Sequence, residues 1–255
     1  MCESFKQPKA RTEAWNKSVL VNSCYDLVFM ENSAEIRSTN SRFKWLLFVA
    51  VMPLWNCNNS LAENAESIAA SAKDAQPIQV GVPAPNAHLR NMKNEETSLR
   101  EVIAGKPTVL IFYRGSWCPY CNAHLSGLLT IEGDLLRLGY QIVAISPDRV
   151  EELNQASDTD HLNYQLFSDE ETEAMRGFGV AYRVDHMTMS ALKRHNVDLE
   201  KSSGRTDHIL PVPSVFILDR SGKVVFVHAN ADYKIRMKGS DVLSAAKASE
   251  EAGPP

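Results

Sequence analysis

The sequence lacks a strong charge of either sign, a cysteine framework and a long apolar run. Its 255 residues carry a formal net charge of only −4, which gives no electrostatic basis for binding nucleic acid. The five cysteines are spaced too unevenly for a set of structural disulfides. We also find no internal repeat. With 44% hydrophobic and 23% charged residues, the composition fits an ordinary globular protein with one core plus extensions.

The longest apolar run, residues 45–55, is too short for a comfortable transmembrane helix. Basic residues precede it and Ser60-Leu61-Ala62 follows, a pattern typical of a secretory signal peptide and its cleavage site. We therefore expect residues 42–62 to direct export to the periplasm. An uncleaved membrane anchor formed by the apolar run and a buried helix of a larger domain are the alternatives. A start at Met30 would give the signal a basic flank of ordinary length, so residues 1–29 are expected to be absent from the natural product.

Apolar strands alternate with amphipathic helices from residue 77 onward. This alternation predicts an α/β fold, with a mixed central sheet flanked by helices, over residues 77–250. Residues 1–76 are expected to form an N-terminal extension that ends in a linker. A polar insertion with at most one helix is expected at residues 181–210. Strands are predicted at residues 109–113, 141–146, 164–167 and in a hairpin at 214–227, and helices at residues 98–105, 125–136, 150–156, 170–178 and 241–249.

Cys118 and Cys121 form a Cys-x-x-Cys pair between a buried strand and the helix that follows it. The first cysteine is expected at the helix start, where unpaired N–H groups and the positive end of the helix dipole stabilise a thiolate. A thiol with an ordinary pKa of about 8.5 can become a nucleophile at neutral pH in that place. The second cysteine lies about one turn further on and can close a disulfide. The pattern predicts dithiol redox chemistry that requires no metal or organic cofactor.

Three sequence features together resemble the alkyl hydroperoxide reductase/thiol-specific antioxidant family of the thioredoxin fold. They are the extended entry at residues 81–85, Phe112-Tyr113 running into the cysteine pair, and Val212-Pro213 just before the strand at residues 216–219. The similarity covers residues 77–248 and is greatest to bacterial peroxiredoxin-like proteins that carry Trp-Cys-Pro-Tyr-Cys. The resemblance implies a thioredoxin-like fold and a thiol-dependent peroxidase that reduces hydrogen peroxide or organic hydroperoxides.

The resemblance implies that Cys118 and Cys121 are the catalytic residues and alternate between a dithiol and a disulfide. A thiolate attacks the hydroperoxide, the neighbouring thiol closes the disulfide, and a thioredoxin-like donor resets the pair. Which cysteine attacks first stays open. Alignment with the family's peroxidatic motif, Pro-x-x-x-Thr-x-x-Cys, puts Cys121 at the attacking position and leaves Pro213 where the family has its activating arginine. The oligomeric state is not indicated.

Four residues are expected from the resemblance to form the binding surface for the substrate. Trp117 matches the tryptophan that precedes the thioredoxin pair, and Arg114 is expected to place a positive charge near the thiolate. Pro213 falls where thioredoxin-fold proteins keep a cis-proline facing the disulfide. That geometry would let the backbone of Val212 offer hydrogen bonds to an incoming chain.

Two other classes of function remain open. The pair could exchange with protein disulfides as a thiol–disulfide oxidoreductase, or it could be a structural disulfide or half of a metal site in a non-catalytic module. A zinc site would need two more ligands, and His124 is the only candidate nearby in sequence. We interpret His124 instead as a partly exposed helix residue. Tyr233 and Arg236 lie in a segment that resembles the same subfamily, and we assign them only packing roles.

Overall fold

The structure of this protein is a computed structural model that describes residues 68–160 and 164–251. The signal-peptide-like segment predicted at residues 42–62 lies outside these ranges, so export and the alternative membrane anchor stay predictions. Within the described ranges, no helix combines the length and the apolar character needed to cross a bilayer.

The described residues contain nine β-strands, which are β1 (His88–Asn91), β2 (Glu96–Ser98), β3 (Thr108–Phe112), β4 (Gln141–Ser146), β5 (Gln165–Ser168), β6 (Ala181–Arg183), β7 (Ile209–Pro211), β8 (Ser214–Leu218) and β9 (Val224–Ala229). Seven of them form one mixed sheet in the order β2-β1-β5-β4-β3-β8-β9, and β6 pairs with β7. β3, β4 and β5 run parallel, whereas β8 runs antiparallel to β3. The carboxyl ends of the parallel strands therefore meet the amino end of β8 at one edge of the sheet.

The same ranges contain seven helices, which are α1 (Leu99–Ile103), α2 (Pro119–Arg137), α3 (Val150–Asp160), α4 (Glu173–Gly177), α5 (His186–Arg194), α6 (Leu199–Ser203) and α7 (Gly239–Glu251). α2 and α7 pack against each other and share one core. α1 and α4 contribute to a second core on the other face of the sheet. Helices on both faces of a mixed sheet confirm the predicted α/β fold.

β3 is the strand around which both cores are built, because it is buried along its whole length. Side chains alternate along a strand, so Val109 and Ile111 face the core that contains α2. Leu110 and Phe112 face the core on the opposite side. The apolar run that leads into the cysteine pair is therefore a fully buried inner strand of the sheet, which confirms the strand predicted at residues 109–113.

Residues 181–210 contain more regular structure than predicted. They form β6, α5, α6 and β7, so the expectation of at most one helix is wrong. Asp185 and Asp198 explain the two helices, because each carboxylate accepts a hydrogen bond from an N–H group in the first turn of its helix. The apolar residues of the insertion form a small core of their own, which consists of Val184, Met189, Leu199 and Leu210.

The first part of the described chain also contains more structure than expected. The hairpin of β1 and β2 was not predicted, whereas the helix that follows it was. Ser98 caps α1 as expected, because its hydroxyl accepts the Glu101 N–H while the Glu101 carboxylate accepts the Ser98 N–H. Residues 68–76, which we expected within a linker, contact the domain, since Ala69 exchanges backbone hydrogen bonds with β6.

A matched pair of leucines in α2 tests this packing. Leu128 is completely buried, whereas 60% of Leu136 is exposed. We expect Leu128→Ala to lower the free energy of unfolding by about 2–5 kcal/mol, because it leaves a cavity in the core beneath the cysteine pair. Leu136→Ala should change it by no more than about 0.5 kcal/mol. Equilibrium urea unfolding measures both, and equal losses would contradict the placement of α2.

Candidate active site

The cysteine pair lies at the edge of the sheet where the parallel strands end. The chain leaves β3 and enters α2 with Cys118 as the N-cap residue and Pro119 in the first turn. Proline suits this position because a first-turn residue needs no partner for its N–H. Cys118 has an extended backbone and makes no side-chain cap hydrogen bond. The first N–H groups of α2 and its positive dipole end can therefore stabilise negative charge on the Cys118 sulfur.

Both thiols are free and buried, with 1% of Cys118 and 0% of Cys121 exposed. A hydrogen bond from the Cys121 thiol lowers the pKa of Cys118 to about 6, opposed by burial and helped by the charges of Arg114 and Arg236. Burial raises the pKa of Cys121 well above the ordinary thiol value, and the negative charge on Cys118 raises it further. At pH 7 the pair therefore consists of a Cys118 thiolate and a Cys121 thiol.

Two arginines supply positive charge beside the sulfurs. Arg236, from the loop between β9 and α7, donates a hydrogen bond from Nη2 to the Cys121 sulfur over 3.5 Å. Arg114 is only 3% exposed, and its guanidinium lies 5.0 Å from the ring centre of Trp117 and 4.3 Å from that of Tyr233. Cation–π contacts of this kind replace part of the hydration that a buried guanidinium loses.

Three aromatic residues, Trp117, Tyr120 and Tyr233, form a cluster around Arg114 near the cysteine pair. Trp117 packs against the core that contains both cysteines. Tyr233 holds Arg114 and meets Tyr120 edge-on, with their ring centres 5.6 Å apart. Tyr120 and Tyr233 remain 44% and 36% exposed, so the cluster reaches the protein surface. The packing role assigned to Tyr233 from the sequence therefore includes holding a charged residue of the site.

Asp148 fixes the loop that precedes the cysteine pair. It follows β4, and its carboxylate accepts one hydrogen bond from the Ser116 N–H over 2.6 Å and another from the Ser202 hydroxyl in α6. Burial raises the pKa of Asp148 to about 6, although both hydrogen bonds oppose this effect. Gly115 makes the close approach possible, because its φ is +146° and a Cβ there would lie 2.7 Å from the Asp148 carboxylate and 2.3 Å from the Trp117 indole nitrogen.

The insertion at residues 181–210 supports the same loop from the other side. Trp117 and Tyr182 pack against the small core of the insertion. Burial raises the pKa of Tyr182, while the charge of Arg114 and a hydrogen bond with it lower that pKa. Through these contacts and the Ser202–Asp148 hydrogen bond, the insertion packs against the loop that precedes the cysteine pair.

Comparison with known proteins identifies the family of this chain. Residues 80–227, more than half of the chain, match the model of the AhpC/TSA family. This chain belongs to the AhpC/TSA family. It is 26% identical over 134 residues to Peroxiredoxin Bcp of Escherichia coli, a match that covers 52% of this chain and 85% of that protein. It is 33% identical over 104 residues to the putative peroxiredoxin bcp of Haemophilus influenzae, which covers 41% of this chain and 66% of that protein.

Solved structures agree with the fold of this AhpC/TSA member. Peroxidoxin BcpB of Mycobacterium tuberculosis superposes with a TM-score of 0.52 at 19% identity, covering 70% of this chain and 99% of that chain. A peroxiredoxin-like protein from Aquifex aeolicus gives a TM-score of 0.55 at 17% identity, covering 72% and 98%. The fold is thioredoxin-like, and the chain is a peroxiredoxin-like oxidoreductase, as its resemblance implied.

Val212 and Pro213 do not have the predicted geometry in this AhpC/TSA member. All peptide bonds of the described residues are trans, so the prediction of a cis bond at Pro213 is wrong. The chain stays extended from β7 into β8, and the Val212 N–H donates to the Val180 carbonyl over 2.8 Å. That N–H is not free for an incoming chain. The Val212 side chain packs in the core on the face of the sheet opposite the cysteines.

His124 is half-buried in α2, in agreement with the partly exposed helix residue that we expected. Burial, followed by the charges of Arg236 and His228, lowers the pKa of His124 to about 4, so the ring is neutral at pH 7. Its Nε2 atom is buried without a hydrogen-bond partner. Among residues 68–160 and 164–251, no group of three or more His, Cys, Asp or Glu side chains is placed to hold a metal.

Sequence reasoning missed Asp148 and Ser202, and it gave Arg236 only a packing role. Asp148 carried a usable signal, because it follows the strand that runs parallel to β3, and the carboxyl ends of parallel neighbours share one edge of the sheet. No comparable signal marked Ser202, and the resemblance that singled out the segment of Arg236 gave this residue no role at the sulfurs. Ser202 lies in a polar insertion, and Arg236 lies 115 residues from Cys121 in a segment without apolar periodicity.

The lowered pKa of Cys118 predicts how its reactivity depends on pH. As the pH rises through about 6, the thiolate fraction and hence the rate of alkylation by iodoacetamide should rise to a plateau. Cys121→Ala should move this curve to higher pH, because it removes the hydrogen bond that lowers the pKa most. Mass spectrometry of the peptide that contains Cys118 measures the rates, with N-acetylcysteine as the reference thiol. A wild-type curve that coincides with the reference would contradict the assignment.

Proposed function

We propose that this protein reduces hydrogen peroxide or organic hydroperoxides, with Cys118 as the attacking thiolate and Cys121 as the resolving thiol. One observation carries the proposal: in the buried pair, the pKa of Cys118 is lowered to about 6 while that of Cys121 is raised. The similarity to Bcp-type peroxiredoxins supports a thiol-dependent peroxidase. The thiols carry both electrons, so this chemistry needs no metal or organic cofactor.

The first step is a nucleophilic attack on the peroxide. The Cys118 sulfur forms a bond with the terminal oxygen of ROOH, the O–O bond breaks, and RO⁻ leaves and takes up a proton to become ROH. The thiolate is oxidised to the sulfenic acid Cys118–SOH. Arg114, whose charge already acts on Cys118, can offset the negative charge that moves onto the leaving oxygen.

The second step closes the disulfide. The Cys121 thiol gives up its proton and its sulfur attacks the Cys118 sulfur, while the hydroxyl of the sulfenic acid leaves with that proton as water. Arg236 promotes this step, because its charge favours the thiolate form of Cys121. A thioredoxin-like dithiol then reduces the Cys118–Cys121 disulfide and is itself oxidised to a disulfide.

This order of attack reverses the roles that the family's peroxidatic motif would assign. The motif aligns Cys121 with the attacking cysteine and Cys118 with its threonine. Here Cys118 occupies the helix start and holds the negative charge, whereas Cys121 lies inside α2 and keeps its proton. Electrostatics therefore favours Cys118 as the first nucleophile. The attacking cysteine then stands at the position where the family's motif has its threonine.

Access to the sulfurs limits what can react first. Cys118 is only 1% exposed, so the sulfur must be uncovered before it reacts, and a hydroperoxide needs a smaller opening than a folded protein disulfide does. Small hydroperoxides are therefore the favoured oxidants. The protein donor acts on the oxidised form, in which the hydrogen bond between the two thiols no longer exists.

Thiol–disulfide exchange with a protein substrate is the second candidate function. Two observations favour it: the attacking sulfur lies at the N-terminal position of a Cys-Pro-Tyr-Cys sequence, and Pro213 stands where the family has its activating arginine. The same thiolate would then attack a substrate disulfide and form a mixed disulfide. A purely structural pair fits less well, because a lowered pKa of Cys118 serves reactivity and not packing.

Export is proposed from the sequence alone. Residues 42–62 carry the features of a secretory signal peptide, and the described domain starts a few residues later. Expression of the full chain in a bacterium should give a periplasmic protein that begins at Glu63. N-terminal sequencing of that protein tests this. A product that retains residues 45–55 in the membrane fraction would support the uncleaved anchor instead.

Cysteine variants test the peroxidase cycle. With a thioredoxin system as donor, Cys118→Ser should reduce turnover of hydrogen peroxide by about 100-fold or more, because a serine hydroxyl is not ionised at neutral pH. Cys121→Ser should also lose turnover, since no resolving thiol remains, but should still consume about one equivalent of peroxide in a single reaction. Cys57→Ser in the full chain is the control and should keep full activity. Full activity of Cys118→Ser would refute the proposed cycle.

A further inference from the structure

A cleft of about 380 Å³ opens beside the cysteine pair, between α2 and the start of α7. Its lining includes Tyr120 and His124 from α2, and Lys234, Arg236, Lys238 and Gly239 from the segment that leads into α7. Neither cysteine lines the cleft. Arg236 connects the two places, because it also donates the hydrogen bond to the Cys121 sulfur.

The lining of the cleft carries three cations, of which Arg236 also acts on the Cys118 thiolate. Lys234, Arg236 and Lys238 lie within five residues of sequence, and none of them forms a salt bridge within the described ranges. Among those residues, no aspartate or glutamate lines the cleft. The whole chain has a net charge of −4, so this concentration of cations runs against the overall sign of the protein. Low-dielectric walls strengthen such a local positive potential.

The N-terminus of α7 adds to this potential. Gly239 begins a helix of 13 residues, and the N–H groups of Asp241 and Val242 donate to the Lys238 carbonyl. The lysine side chain has no acceptor atom, so it cannot cap the first N–H groups as serine or aspartate would. Because the Asp241 and Val242 N–H groups are paired, the helix start can offer an oxyanion the N–H groups of Gly239 and Ser240 and the positive end of its dipole. Asp241 in the first turn is exposed and does not line the cleft.

Two residues of the cleft wall also carry a buried polar atom that lacks a partner. Arg236 Nε and His124 Nε2 are both buried and have no hydrogen-bond partner. An unsatisfied buried polar atom costs about 1–3 kcal/mol, so a small side-chain movement that brings either atom to an anion in the cleft would recover part of that cost. Both atoms belong to residues that line the cleft.

We propose that this cleft is a binding site for one oxyanion, a carboxylate or a phosphate group, held by Lys234, Arg236, Lys238 and the N-terminus of α7. Binding of a free anion does not depend on the peroxidase cycle, whereas binding of a substrate carboxylate rests on the proposed function. The oxyanion can be a free ion, or it can be the carboxylate of the hydroperoxide that Cys118 attacks. In both cases Arg236 lies between the anion and the Cys121 sulfur, so binding is coupled to the redox pair.

Titration of the reduced full chain with inorganic phosphate at pH 7 tests the site, with sodium chloride at matched ionic strength as the blank. Isothermal calorimetry should show saturable binding of one phosphate per chain. The double variant Lys234→Ala/Lys238→Ala should bind at least tenfold more weakly. Lys247→Ala is the matched control, because this exposed lysine lies on α7 away from the cleft, and it should bind as wild type does.

Arg236 lines the cleft and also contacts the Cys121 sulfur, so the reactivity of the cysteine pair provides a second measurement. Bound phosphate places negative charge beside Arg236, so it should shift the pH profile of Cys118 alkylation to higher pH in wild type and in Lys247→Ala, but not in the double variant. No saturable heat beyond the chloride blank, or equal affinity in the double variant, would overturn the proposal. Because the measurement uses no peroxide, its failure is distinguishable from failure of the peroxidase cycle.

Competition then identifies the source of the oxyanion. Phosphate should be added to reactions with a carboxylate-bearing alkyl hydroperoxide and with its methyl ester. Inhibition of the carboxylate compound alone assigns the cleft to the substrate's own carboxylate. Equal effects on both compounds assign it to a free anion. Either result supports an oxyanion site, provided that the phosphate titration has shown saturable binding.

Discussion

A charged sulfur can be kept out of water only if hydrogen bonds and opposite charges replace the water that solvated it. The rest of the site follows from this constraint. Burial alone would raise the pKa of both cysteines, yet the pair separates into a thiolate at Cys118 and a thiol at Cys121. The Cys121 thiol donates to the Cys118 sulfur, and two arginines supply the charge that solvent cannot.

The compensating groups come from segments far apart in the chain, so the site exists only when the fold is complete. Arg114 follows β3 directly, whereas Arg236 comes from the loop after β9. The loop between β3 and α2 is held by Asp148 at the end of β4, and Asp148 is itself bound by Ser202 of the insertion. The parallel β3 and β4 and the antiparallel β8 and β9 bring these ends to one edge of the sheet. Loss of one buried partner therefore changes the reactivity of the thiols as well as the stability of the domain.

Local pattern was sufficient for the fold and for the position of the redox pair, but not for the surroundings of the pair. The apolar run at residues 109–113 and the helix after it are specified by neighbouring residues, so the strand-to-helix turn that holds the cysteines was predicted. The insertion at 181–210 was underestimated, because short helices capped by aspartate have few apolar residues to reveal them. The hydrogen bond of Arg236 depends on long-range packing that no local pattern encodes. Val212 was misplaced because its role was taken from thioredoxin-type geometry, whereas its N–H pairs with Val180 here.

The most direct test is to identify which sulfur a hydroperoxide oxidises first. Each single-cysteine variant of the pair, Cys121→Ser and Cys118→Ser, is mixed rapidly with hydrogen peroxide in the presence of dimedone, and mass spectrometry locates the sulfenic acid adduct. Serine at position 121 keeps a hydroxyl that can donate to the Cys118 thiolate. We expect fast formation of an adduct on Cys118 in the first variant and slow or no reaction of Cys121 in the second. Fast oxidation of Cys121 with an unreactive Cys118 would contradict the assignment of Cys118 as the nucleophile.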